Sequence, residues 1–120
     1  PLWSITVHEL SVAESIIDII DEALDEPREL ERATVVMGPF AGINAESLRF
    51  FFPEAAEARG FGRPELVVQS VPARVHCTAC DEDYEATDMA EGCPRCGGLQ
   101  REVLSGREFT LESVEVAVDE

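Results

Sequence analysis

The sequence predicts an α+β protein with a small mixed sheet of about three strands, two helices on one face of it, and an inserted zinc-ribbon-like module. Apolar residues recur at helical spacing in residues 8–24 and 44–59. Short β-branched or alternating segments at residues 33–37, 65–75 and 108–118 are typical of strands. Four cysteines in two Cys-x-x-Cys pairs lie between the last two strands, which predicts a separate metal-binding segment.

The first predicted helix has one apolar face and one acidic face. Its apolar positions are Leu10, Ala13, Ile16, Ile17, Ile20 and Leu24. Thr6 and Ser11 are alternative N-caps, because each is followed three residues later by a glutamate. Pro27 is expected to end the helix.

The second predicted helix begins after Asn44, which is a good N-cap, and stops at Gly60. Pro53 lies inside this segment, where proline removes a helix hydrogen bond and crowds the preceding turn. Either the helix kinks there, or it restarts near Phe52 with Pro53 in its first turn.

Among the predicted strands, residues 65–75 read as one strand with Pro72 at an edge or a bulge. Residues 108–118 alternate apolar and polar side chains with one break of phase, which predicts a half-buried strand. Residues 76–101 are rich in cysteine, glycine and acidic residues, and they offer no apolar core of their own.

Composition narrows the classes of partner. The 120-residue chain carries a net charge of −16, and its nine basic residues are all arginine. Nucleic acids and anionic membranes attract basic surfaces, so neither is expected as a partner. The sequence has no apolar run of the ~18 residues that a membrane helix needs. Its N-terminus also lacks the pattern of a signal peptide, which predicts a cytoplasmic protein.

The two cysteine pairs, Cys77/Cys80 and Cys93/Cys96, have the spacing of metal ligands. Each pair can present two sulfurs from a tight turn, and two pairs complete a closed tetrahedral site. Such a site is typical of structural zinc, and a rubredoxin-type iron site is the alternative metal centre. Redox-active or disulfide-bonded cysteines are the alternative without a metal. His76 is expected to neighbour the ion without binding it.

From residue 7 onward, several motifs follow one another in the order of one known family. They are Val7-His8-Glu9-Leu10-Ser11, Ser15-Ile16-Ile17, Gly42-Ile43-Asn44-Ala45-Glu46-Ser47-Leu48-Arg49-Phe50, Val71-Pro72-Ala73-Arg74, the two cysteine pairs, and Leu104-Ser105-Gly106-Arg107-Glu108-Phe109. Through these motifs the chain resembles the HypA/HybF-like nickel metallochaperones of hydrogenase maturation over nearly its whole length.

The resemblance implies a second metal site and a function without catalysis. Nickel, the transported cargo, would bind near the N-terminus through the imidazole and amide of His8 and the amide of Glu9. Planar nitrogen donors suit Ni(II), whereas the all-sulfur site suits zinc. The implied partners are a nickel-insertion GTPase and the hydrogenase large subunit, and some members of the family also serve urease. A monomer or a weak homodimer is expected.

The sequence departs from the family pattern at two places. Residues 1–6 precede the motif, so they are expected to be a non-native or extra N-terminal extension, with Val7 standing where relatives begin with methionine. An acidic residue common in relatives is Asn44 here, which we interpret as an N-cap. The expected domains are therefore a nickel-binding α+β domain, residues 7–75 and 102–120, and a zinc-binding module, residues 76–101.

Two other functions compete with the metallochaperone. A zinc-ribbon interaction module would explain the cysteines alone, although such ribbons usually carry basic residues where residues 81–92 are acidic. A rubredoxin-like electron carrier would bind iron and be red. An enzyme is not expected, because the sequence offers no nucleophile–base pair, phosphate-binding loop or open metal position.

Overall fold

The structure is a computed structural model that describes the backbone of residues 2–117 and the side chains of residues 9–117. In chain order the elements are α1 (Leu2–Ala23), β1 (Leu30–Met37), α2 (Ala45–Ala58), β2 (Glu65–Ser70), β3 (Ala73–Cys77), β4 (Glu82–Ala86), β5 (Arg101–Ser105) and β6 (Phe109–Val116). The chain forms two compact units. The helical unit comprises residues 1–35, 43–68 and 111–120, and the cysteine unit comprises residues 36–42 and 69–110.

Helix α1 is longer than predicted, because it begins at Leu2 and already runs through both predicted N-caps. Residues 2–7 contain neither proline nor glycine, so nothing in the local sequence interrupts the helix there. Its predicted apolar face is buried at Ala13, Ile16, Ile17 and Ile20. The helix ends before Pro27, as predicted.

Helix α2 follows the sequence closely. Asn44 is its N-cap, with the side-chain oxygen accepting a hydrogen bond from the Ser47 amide at 2.9 Å. Gly60, with φ +86°, follows the last turn and donates to the Glu57 carbonyl at 3.1 Å. Pro53 lies inside one uninterrupted helix, so the expected restart near Phe52 does not occur.

The two helices pack against each other. The buried residues of α2 include the apolar side chains Leu48 and Phe52. The predicted face of α1 that is buried is apolar as well. At the surface, Arg59 of α2 forms ion pairs with Asp18 at 2.8 Å and Asp21 at 3.3 Å on α1. Exposed ion pairs of this kind contribute little, so apolar burial holds the pair of helices together.

A three-stranded sheet with the order β2-β1-β6 confirms the predicted small sheet. β1 is central and mostly buried, as expected of a strand with neighbours on both sides. On the exposed side, Arg32 of β1 pairs with Glu65 of β2 at 3.3 Å and with Glu115 of β6 at 2.7 Å. This triad joins the three strands side by side.

The prediction of one strand over residues 65–75 was wrong. The segment divides into β2 and β3, which belong to different sheets. Pro72 lies between them, and proline has no amide hydrogen to donate to a strand partner. The interruption at Pro72 is therefore the point where the chain leaves the first sheet and enters the second.

The second sheet, with the order β4-β3-β5, was not predicted from the sequence. β3 is antiparallel to both neighbours, with Val75 opposite Tyr84 on β4 and opposite Val103 on β5. A small buried cluster covers this sheet: Ala73, Val75, Cys77, Tyr84, Ala86 and Cys93. The cysteine unit therefore has a core of its own, although a small one.

Candidate metal centre

The cysteines lie on two turns of the same shape. Cys77 is the last residue of β3, and the Asp81 amide donates to the Cys77 carbonyl at 2.8 Å. In the second turn the Gly97 amide donates to the Cys93 carbonyl at 2.7 Å. The donors have left-handed backbones, with φ 58° at Asp81 and 72° at Gly97. Each Cys-x-x-Cys pair is therefore folded by the same hydrogen bond.

The two turns bring all four sulfurs together. The Sγ atoms of Cys77, Cys80, Cys93 and Cys96 lie within 4.8 Å of one another, and none of the four forms a disulfide. Cys77 Sγ is 3.8 Å from Cys96 Sγ. Zinc–sulfur bonds of about 2.3 Å at tetrahedral angles place sulfurs about 3.8 Å apart. The donor set and its spacing therefore fit a structural zinc ion.

Backbone amides point at two of the sulfurs. The Cys80 amide donates to Cys77 Sγ at 3.4 Å, and the Gly98 amide donates to Cys96 Sγ at 3.4 Å. Cys77 and Cys93 are buried, whereas Cys96 is exposed. The cluster thus has a buried side, on the small core, and an accessible side through which a metal ion can enter.

The local surroundings separate the acidities of two thiols. Amides of Cys96 and Arg95 hydrogen-bond to the Cys93 sulfur and lower its pKa to about 7. The hydrogen bond from Cys80 to Cys96, together with burial, raises the pKa of Cys80 to about 12. Four sulfurs this close cannot all carry a charge without a cation, and a bound metal ion removes that restriction.

We expect zinc affinity to fall as the pH is lowered, and to fall more steeply below about pH 7. Below that pH the thiol of Cys93 carries a proton that zinc must displace, whereas above it that thiol is ionised. The slope of log affinity against pH should therefore increase by about one across this point. Competition with a chromophoric chelator measures the zinc affinity. A slope that stays constant through pH 7 would contradict the lowered pKa of Cys93.

Arg101, at the start of β5, ties the loop between the cysteine pairs to the rest of the unit. Its guanidinium donates to the Met89 carbonyl at 2.7 Å and to the Glu91 carbonyl at 3.1 Å. The same group stacks 4.9 Å from the centre of the Phe40 ring. Sequence reasoning missed this residue, since a single arginine after a cysteine pair carries no recognisable pattern.

His76 neighbours the cluster, but its ring nitrogens contact carboxylates and not the sulfurs. Its Nδ1 lies 2.6 Å from Asp83, and its Nε2 lies 3.0 Å from Asp81. The hydrogen bond to Asp83 is the main reason that the pKa of His76 is raised above its ordinary value. Both ring nitrogens thus have carboxylate partners, as suits a neighbour of the site.

The residues predicted to bind nickel, His8 and Glu9, lie on α1. The side chain of His8 lies outside the described residues. Glu9 is 1% exposed, and its Oε2 accepts a hydrogen bond from the Asn44 amide at 3.0 Å. Its Oε1 has no hydrogen-bond partner among the side chains and backbone that the structure describes. The hydrogen bond therefore connects Glu9, two turns into α1, to the N-cap of α2.

Within the described part of the chain, no helix has both the length and the apolar character needed to cross a membrane.

The sequence profile of the family described as hydrogenase/urease nickel incorporation, metallochaperone, matches residues 7–116. The chain belongs to this HypA family. The hydrogenase maturation factor HypA of Chlorobium limicola is 36% identical over 112 residues, covering 92% of this chain and 97% of that protein. The hydrogenase maturation factor HypA of Caldanaerobacter subterraneus subsp. tengcongensis is 35% identical over 114 residues, covering 92% and 99%.

The solved structures agree on the fold. The solution structure of the nickel metallochaperone HypA from Helicobacter pylori superposes with a TM-score of 0.58 at 19% identity, covering 92% of this chain and 98% of that one. Membership of the HypA family makes the chain a nickel metallochaperone of hydrogenase maturation, and not an enzyme. Its metals are nickel and a structural zinc, for which the four cysteines provide a fitting site.

Proposed function

We propose that the chain binds one Ni(II) ion near its N-terminus, through the imidazole and amide of His8 and the amide of Glu9. It then delivers the ion to the large subunit of a nickel–iron hydrogenase, together with a nickel-insertion GTPase. Cys77, Cys80, Cys93 and Cys96 hold the structural zinc. The observation that carries the proposal is the family match, which begins at the Val7-His8-Glu9 motif.

Helix geometry supports a nickel-binding form that begins at residue 7. In a helix that starts at Leu2, the amides of His8 and Glu9 donate to carbonyls four residues earlier. When the helix starts at residue 7, both amides belong to its first turn and have no partner within the helix. They are then available to a metal ion, beside the terminal amine and the imidazole.

The zinc site supports a cytoplasmic location. Four thiols that must stay reduced to hold zinc are suited to a reducing compartment, and we place the protein in the cytoplasm. The family role gives it partners in the hydrogenase maturation machinery. Its net charge of −16 favours partners whose contact surfaces are basic.

Nickel titration of two zinc-loaded chains tests the proposal. One chain comprises residues 1–120, and the other begins with methionine at position 7, followed by His8 and Glu9. We expect the shorter chain to bind one nickel ion with micromolar or tighter affinity by calorimetry, because its terminal amine and first-turn amides are free. The longer chain should bind nickel much more weakly.

Replacement of each histidine identifies the ligand. His8→Ala in the shorter chain should abolish tight nickel binding. His76→Ala is the matched control, because His76 is the only other histidine and its ring nitrogens face Asp81 and Asp83. If the shorter chain retains its zinc and binds no nickel, the proposal is wrong and a zinc-ribbon interaction module becomes the better interpretation.

A further inference from the structure

The buried carboxyl group of Glu9 has no function in the nickel site as proposed, since only the backbone amide of Glu9 is a ligand there. Its side chain is nevertheless 1% exposed, which is rare for glutamate. One oxygen accepts from the Asn44 amide, and the other has no described partner. Burying a half-satisfied carboxyl group costs stability, so its presence calls for a reason other than stability.

The partner of Glu9 is a specific group at the start of α2. In a capping box, the N-cap side chain accepts from the third helical amide, and a glutamate at that third position accepts from the N-cap amide. Asn44 performs the first half by accepting from Ser47. Ser47 itself is too short to perform the second half. Glu9 of α1 supplies the missing acceptor from another helix.

We infer that the side chain of Glu9 is a positioning residue for nickel. By completing the capping box of α2 from α1, it holds the backbone of His8 and Glu9 in one place. A chelate built partly from backbone amides depends on that placement, because the donor atoms cannot adjust by rotating a side chain. The inference rests on the proposed function.

Two substitutions of Glu9 separate its side chain from its amide, since both leave the amide in place. Glu9→Gln keeps an oxygen that accepts from Asn44. Glu9→Met keeps the bulk but removes the acceptor, and it replaces a buried carboxyl group by an apolar side chain, so folding should be retained. In the chain that begins at position 7, we expect Glu9→Met to weaken nickel binding about tenfold or more. Glu9→Gln should stay within about threefold of the unsubstituted chain.

Asn44→Ala is the control for a general loosening of α2. It removes the side-chain half of the capping box and lowers the melting temperature, but it leaves the backbone amide that Glu9 accepts from. We expect its nickel affinity to stay within about threefold of the unsubstituted chain. Hydrogen exchange of the Asn44 amide in the nickel-free protein provides a second readout, which should quicken in Glu9→Met and not in Glu9→Gln.

The outcomes are distinguishable. If the unsubstituted chain binds no nickel, the proposed function fails and the positioning role fails with it. If that chain binds nickel and Glu9→Met binds it equally well, only the positioning role is overturned. Equal losses in Glu9→Met and Asn44→Ala would also overturn it, because the effect would then belong to the stability of α2.

Discussion

Removal of zinc is expected to unfold β3, β4 and β5 while α1 and α2 keep their helical structure. Apart from two of the cysteines, the buried cluster of the cysteine unit contains only small side chains and one tyrosine: Ala73, Val75, Ala86 and Tyr84. So little apolar surface cannot offset the conformational entropy of ordering residues 36–42 and 69–110. Zinc binding to a four-thiolate module supplies about 10–16 kcal/mol of folding free energy.

Amide spectra recorded by NMR before and after treatment with a strong chelator measure this effect. The amides of β3–β5 should lose their dispersion, and those of the helices should retain it. Cys77→Ser should reproduce the loss without a chelator, and Thr78→Ala, in the same turn but without a sulfur, should bind zinc normally. Dispersed signals from β3–β5 in the zinc-free protein would show that the small core suffices.

Phe52→Ala is expected to destabilise the helical unit by about 3–5 kcal/mol. Phe52 is completely buried on α2 and is among the largest of the fully buried side chains. Its truncation removes apolar burial and leaves a cavity. The helix can relax little to fill that cavity, because the neighbouring Pro53 restricts the backbone there. Since whole domains are stable by about 5–15 kcal/mol, this is a large fraction of the total.

Urea denaturation of the zinc-loaded protein, followed by circular dichroism of the helices, measures the loss. Phe50→Ala is the control on the same helix, because Phe50 is 69% exposed and contacts Phe51 edge-to-face at the surface. Its truncation should cost less than about 1 kcal/mol. Similar losses for the two variants would mean that the burial of Phe52 does not determine the stability of the unit.

Patterns that depend on one segment could be predicted from the sequence. The N-cap Asn44 and the stop at Gly60 need only local hydrogen bonding and backbone freedom, and both are confirmed. The two Cys-x-x-Cys pairs likewise have a spacing that is set by the metal itself, and the structure brings all four sulfurs together.

Features that depend on distant pairing could not be predicted. β4 is strongly acidic, and its strand conformation comes from pairing with β3 and from burial of Tyr84 and Ala86. The apolar pattern of residues 65–75 continues through Pro72. It therefore does not reveal that the segment contributes one strand to each of two sheets. The bond between Glu9 and Asn44 spans 35 residues and has no signal in either local sequence.

The order of segments along the chain has a consequence for biosynthesis. β1 pairs with β6, yet β6 follows β1 by about 70 residues and comes after all four cysteines. At a translation rate of roughly 5–20 residues per second, the edge of β1 stays open for several seconds. The zinc turns can close during that interval. Until β6 has been synthesised and paired, the unpaired edge of β1 is therefore exposed to aggregation.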